Sequence, residues 1–76
     1  MNGIGVYISL PGGIKRQKFT ATSGQTLFTV TDFQCNTNAA LFINGALQST
    51  DIYTLLNNDF TIAFALALND EVVIIN

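Results

Sequence analysis

The sequence predicts an all-β domain, a compact antiparallel β-sandwich or small barrel of about seven short strands. Three observations carry this expectation. Apolar and polar residues alternate with period two in most of the hydrophobic segments, the mark of a half-buried strand. Clusters of Gly, Asn, Asp and Ser recur at intervals of roughly 6 to 12 residues and punctuate those segments as turns. No segment brings its apolar residues back at a convincing helical spacing of three and four.

Taken in order, residues 4–10 place Ile4, Val6, Ile8 and Leu10 on one face and Gly5, Tyr7 and Ser9 on the other. Pro11-Gly12-Gly13 ends that strand, because Pro lacks the N–H a ladder needs. Lys15, Arg16 and Lys18 then read as a solubilising loop tip, and residues 18–22 alternate again with Phe19 and Ala21 on one face. Gly24 marks a turn before the β-branched and aromatic run 26–31, whose inner face is Phe28 and Val30. Residues 32–38 form a polar connection from which Phe33 and Cys35 are expected to tuck under the core.

Residues 38–44 are the next strand and end in Asn44-Gly45. Both positions of such a tight corner need positive φ, which Asn tolerates and Gly adopts freely. Ala46 and Leu47 continue the return, Gln48–Asp51 is a polar loop, and 52–56 is a further strand. Asn57-Asn58-Asp59 reverses the chain. Residues 60–68 alternate strictly, with Phe60, Ile62, Phe64, Leu66 and Leu68 on one face, and predict one long strand; the alanines of 65–69 leave a helical turn as the alternative there. After Asn69-Asp70, the run Val72–Ile75 predicts a strand buried on both faces or closing onto a neighbour.

The chain is 76 residues long, 49% hydrophobic and only 11% charged, with net charge -2. It is expected to be a single β domain over residues 1–76. An average soluble domain carries about 25% charged residues, so the shortage implies that part of the surface is covered by copies of the chain or by a partner. Three basic residues in an acidic chain argue against nucleic acid as that partner. No apolar run approaches the length of a membrane span, and no secretory leader is expected. The single cysteine, Cys35, fits synthesis in a reducing cytoplasm.

Chemistry is read largely by elimination. With no His and one Cys, the Ser-His-Asp triad, the Cys-His pair and the common zinc sets are unavailable. Asp32, Asp51 and Asp59 fall at turns, where Asp serves local backbone bonding, and no spacing resembles a calcium loop. Asp70 and Glu71 are adjacent and on a strand would face opposite ways. Gly3 and Gly5 precede no helix that would bind phosphate. No catalytic residue, cofactor or metal ligand is therefore expected, and the chain is not read as an enzyme. Tyr7 and Tyr53 would serve either as packing residues or as stacking platforms for a sugar.

Three stretches, KFTATSGQTLFTV, ALFINGALQSTDIYT and NDFTIAFALALNDEVVII, together resemble the small β module that recurs in bacteriophage tail fibres and related virion proteins. The matching positions are Phe19, Thr20, Ala21, Gly24, Gln25, Thr26, Phe28, Val30, Phe42, Asn44, Gly45, Asp51, Tyr53, Thr54, Ile62, Asp70, Val72 and Ile74. The resemblance spans residues 18–75 and leaves 1–17 outside. It departs at Ile52, inserted between Asp51 and Tyr53, and at Asn69, where the module usually has Gly. What it implies is a non-enzymatic phage virion structural protein, a tail or fibre or capsid-decoration subunit. Such a protein would be made in the host cytoplasm and would associate with itself, as a trimer, and with other virion proteins. The alternative is a receptor- or carbohydrate-binding module that meets a host-surface glycan. Tyr7, Gln48, Ser49, Thr50, Asp51 and Tyr53 are the candidate partner contacts; Gly24, Asn44 and Gly45 are the fold-defining turns. The strand 4–10 is the candidate for crossing between subunits.

Overall fold

A computed structural model describes residues 14–76; the strand expected at 4–10 and Tyr7 lie outside the described residues. Among the described residues seven strands follow in order: β1 (Arg16–Thr20), β2 (Leu27–Thr29), β3 (Ala40–Ile43), β4 (Ala46–Leu47), β5 (Tyr53–Leu56), β6 (Asp59–Ile62) and β7 (Glu71–Ile75), with a 3₁₀ turn over Thr50–Ile52. They form two antiparallel sheets, one of four strands in the order β1-β7-β3-β4 and one of three in the order β2-β6-β5. The expected all-β class is what the chain adopts.

The alternation in the sequence becomes the two faces of each sheet. On the four-stranded sheet Phe19 lies opposite Val72, Gln17 opposite Ile74, and Leu41 and Ile43 complete the inner face from β3. On the three-stranded sheet Phe28, Phe60 and Leu55 share one cross-strand row. Phe28, Phe60, Leu41, Ile62, Ile74, Val30 and Val72 are fully buried between the sheets. Burying each of them contributes about 1.5–3 kcal/mol. Phe19 bridges the layers, its ring edge-to-face on Phe28 at 5.5 Å. Cys35 and Phe33 tuck against this core from the connection before β3, as expected.

That connection is held by neutral amide side chains. Asn58 Nδ2 donates to the Val30 and Phe33 carbonyls, each at 2.9 Å, while its Oδ1 accepts from the Cys35 N–H at 3.0 Å. Gln17 Oε1 accepts from the N–H groups of Thr31 and Asp32. Asn76 Oδ1 accepts from Asn36 N–H, and its Nδ2 donates to the Gln34 carbonyl. Amide side chains can donate and accept at once, so they satisfy irregular backbone without charge.

Three expectations are corrected. The strand from Phe60 ends at Ile62, and residues 63–70 are neither strand nor helix. The partners run out at that point: Ile62 lies opposite Tyr53 at the start of β5, and β2 begins at Leu27 opposite Thr61. The chain instead crosses the open end of the sandwich. Gly24 N–H donates to the Leu66 carbonyl at 2.7 Å, Leu66 N–H to the Gln25 carbonyl at 3.1 Å, and the Leu66 side chain plugs the core while Phe64 and Leu68 are exposed. Second, two of the three basic residues are not in a loop tip: Arg16 and Lys18 stand in β1, which begins two residues before the strand expected at 18–22. Third, β7 is sealed on its inner face alone, Val73 and Ile75 being half-buried on the other.

Candidate functional site

The loop carrying the expected contacts is built by its own backbone. Gln48 N–H donates to the Leu41 carbonyl at 2.9 Å and its side chain to the Ala46 carbonyl at 2.9 Å, which leaves Gln48 half-buried. Ser49 caps the 3₁₀ turn, its hydroxyl accepting from Asp51 N–H at 3.3 Å. Ser49, Thr50 and Asp51 are exposed. Tyr53 is half-buried, with its ring 5.5 Å from that of Phe60. The structure thus brings Gln48–Asp51 and Tyr53 together along one chain segment, with the Tyr53 ring turned onto the core.

The turn residues have a clear geometric basis. Asn44 and Gly45 take φ 50° and 84°, and Gly24 takes φ 81°. A Cβ at Gly24 or Gly45 would meet nothing within 4 Å, so backbone conformation alone selects glycine there. Asn44 has a second role that local sequence signals do not show. Its Nδ2 donates to Asp70 Oδ1 at 3.0 Å, and its Oδ1 accepts from Glu71 N–H at 2.8 Å, so the β3–β4 corner is clamped to the start of β7. Asp70 Oδ2 also accepts from Ala67 N–H at 2.8 Å. The Asn44 bond and then the Ala67 bond hold the Asp70 carboxyl below its ordinary value.

Two further carboxylates make side-chain contacts within the chain. Asp59 accepts from the Thr29 hydroxyl at 2.7 Å, and Glu71 pairs with Lys18 at 3.1 Å in a largely solvated bridge. Cys35 is a buried free thiol whose pKa burial pushes up, away from the reactive thiolate. Among the described residues no three His, Cys, Asp or Glu side chains cluster as metal ligands, and no helix is long and apolar enough to cross a membrane.

The most distinctive surface is the outer face of the four-stranded sheet, which was not singled out as a site from the sequence. Antiparallel register lines up Arg16, Ile75 and Ala40 in one row and Lys18, Val73, Phe42 and Leu47 in the next. Ala40, Phe42, Val73 and Ile75 are half-buried, and Leu47 is 64% exposed. A shallow groove of about 350 Å³ runs among Arg16, Lys18, Phe42, Glu71, Val73 and Ile75. The opposite outer face, on the three-stranded sheet, sets Leu27, Thr61 and Thr54 in one row and Thr29, Asp59 and Leu56 in the next, with Leu56 71% exposed. The signal for these faces was present in the double-apolar run of β7 and the shortage of charge. Set against known proteins, the chain matches no family model, no curated protein and no solved structure.

Proposed function

We propose that the chain is a non-enzymatic structural subunit of a bacteriophage virion, a tail, fibre or capsid-decoration component that assembles with copies of itself through its outer sheet faces. The observation that carries this reading is the apolar row of Phe42, Val73 and Leu47 with Ile75 beside it, on a face whose polar rim is Arg16, Lys18 and Glu71. Apolar patches with polar rims are what association surfaces use. The resemblance to the phage module supports the virion setting.

Size decides the kind of assembly. Four strands of five, five, four and two residues, about 4.8 Å apart and rising about 3.3 Å per residue, give a face of about 250 Å². Two such faces pressed together bury about 500 Å² in total, below the ~1,200 Å² of a stable pair. Joining the four-stranded face of one copy to the Leu27–Leu56 face of the next uses two patches of every subunit and doubles that area per subunit; because the two faces lie on opposite sides of the sandwich, this contact stacks copies in a row and does not close a ring of three. The glycan-binding alternative draws less support, because the Tyr53 ring packs on Phe60.

Light scattering on the purified chain tests the proposal. Wild-type protein is expected to run as an oligomer that dissociates on dilution, and Val73→Lys, which buries a charge in the contact, as a monomer with unchanged strand content. A wild-type chain that stays monomeric at high concentration and binds no virion protein would overturn it.

A further inference from the structure

We propose that Asn44 is a modification site: its side-chain amide is converted to a carboxylate through attack by the Gly45 nitrogen, the clamp to Asp70 and Glu71 holds that reaction back in the folded chain, and the product releases the β3–β4 corner from β7. This goes beyond the assembly reading and does not depend on it.

The reaction needs a side-chain amide followed by an unhindered backbone nitrogen. Gly45 supplies one, having no side chain, and Asn44 and Gly45 are both exposed to the water that completes the reaction. The Gly45 nitrogen gives its proton to water and bonds to Asn44 Cγ. The Cγ–Nδ2 bond breaks, and the released nitrogen takes up a proton from water and leaves as ammonia. A five-membered succinimide ring remains. Water then opens the ring at one of its two carbonyl carbons, leaving either an aspartate at position 44 or an isoaspartate, in which the main chain runs through the former side chain. No oxidant or reductant takes part. Asn57 and Asn69, the other asparagines with positive φ among the described residues, precede Asn58 and Asp70, whose side chains crowd the nitrogen.

In the folded chain both ends of that amide are already engaged. Asn44 Nδ2 donates to Asp70 Oδ1 at 3.0 Å, Oδ1 accepts from Glu71 N–H at 2.8 Å, and the Asn44 N–H donates to the Glu71 carbonyl at 2.8 Å. Attack turns Cγ toward the Gly45 nitrogen and expels Nδ2, so both side-chain bonds must break first. The backbone of the corner is held as well, at φ 50° and 84°, by the pairing of Ile43 with Ala46. Modification therefore proceeds through local opening of the corner, and whatever stabilises the clamp slows it. The bond to the Asp70 carboxylate is of the stronger, charge-assisted kind.

Neither product can restore the clamp. A carboxylate accepts but does not donate, so in the aspartate form Asp70 Oδ1 loses its Nδ2 donor and meets a second anion in its place. Two carboxylates in contact cannot both ionise freely. The isoaspartate form adds a carbon to the main chain within a two-residue connection, whose geometry sets the register of the hairpin. Either product frees the corner from the start of β7, and β3 and β7 are the central pair of the larger sheet.

Peptide mapping by mass spectrometry, with fragmentation to assign the site, follows the reaction on the full chain at mildly alkaline pH. In urea Asn44 is expected to convert faster than Asn57, Asn58 or Asn69, and in the folded wild type at least about 10-fold more slowly than in urea. Asp70→Ala is expected to speed the folded-state reaction about 10-fold, whereas Val30→Ala, which weakens the core beside Asn58, leaves it close to the wild-type rate. Equal rates in the folded and unfolded chain would overturn the proposal. So would Val30→Ala accelerating the reaction as much as Asp70→Ala, which would make global unfolding the gate. Asn44→Asp tests the product: its urea midpoint is expected to lie below that of the wild type at neutral pH, with the deficit narrowing as pH falls toward about 4, where one carboxyl takes up a proton and can donate to the other. A deficit that stays constant with pH would overturn the release of the corner by charge.

Discussion

At Asp70 the two carboxylate oxygens serve two different partners. Oδ1 accepts from the Asn44 side chain and Oδ2 from the Ala67 N–H, and Asn44 in turn accepts from Glu71 N–H. A carboxylate can accept on both oxygens; an amide cannot, having one oxygen and one donor nitrogen. Both bonds favour the ionised form, so the folded pKa lies below the ordinary 3.8. The linkage follows in sign: the unfolded chain holds this proton more tightly, so ionised Asp70 adds its stability in full above the unfolded value and loses it as pH falls through the lowered folded value. Urea midpoints measured downward from about pH 6 are expected to fall for the wild type below about pH 4. Asp70→Asn is expected to have a lower midpoint at neutral pH and a shallower acid slope, the difference between the two proteins isolating Asp70 from the other carboxylates. Equal slopes would mean that the Asn44 and Ala67 bonds leave the carboxyl without preference between its two forms.

Among the elements, the segment between β6 and β7 separates what periodicity can tell from what it cannot. Alternation marked β1, two residues late at 18–22, and the start of 60–68 that became β6, whereas apolar and β-branched runs between turn signals marked β2, β3, β5 and β7; each of these has a partner strand. In residues 63–68 the alternation continues although the sheet has ended, and a sequence pattern carries no information about where partner strands stop. Leu66 keeps its inward place by plugging the end of the sandwich at 4% exposure, while Leu68 is 63% exposed. Leu66→Ala is therefore expected to destabilise the fold by about 2–4 kcal/mol and Leu68→Ala by less than about 0.5 kcal/mol, read from chemical denaturation. Equal losses would restore the long strand. The Asn58 and Asn44 clamps were hidden for a related reason: they join residues 23 to 28 apart in the chain through side-chain bonds, and local turn chemistry identifies the corner without showing what it grips. The outer sheet face was half legible, since the double-apolar β7 was evident but its neighbours Phe42 and Leu47 join it only through the β3 register.

For the whole molecule, the balance of apolar and charged surface predicts how association responds to salt. The outer face of the four-stranded sheet gathers Ala40, Phe42, Leu47, Val73 and Ile75 against Arg16 and the Lys18–Glu71 pair, and that ion pair is already satisfied within one chain and is largely solvated. Exposed pairs of this kind contribute about 0–1 kcal/mol, whereas each apolar side chain transferred from water contributes about 1.5–3 kcal/mol when fully covered. The apolar term therefore dominates, and Arg16 against Asp59 of a second copy would set orientation more than strength. Sulfate strengthens burial by exclusion from apolar surface and at the same time screens charge. Sedimentation velocity is expected to show oligomers persisting or gaining population as sulfate is added. A steep loss of oligomer with salt would show that charge, and not the apolar face, holds the copies together. In that case Arg16→Glu would dissociate the assembly and Val73→Lys would leave it intact.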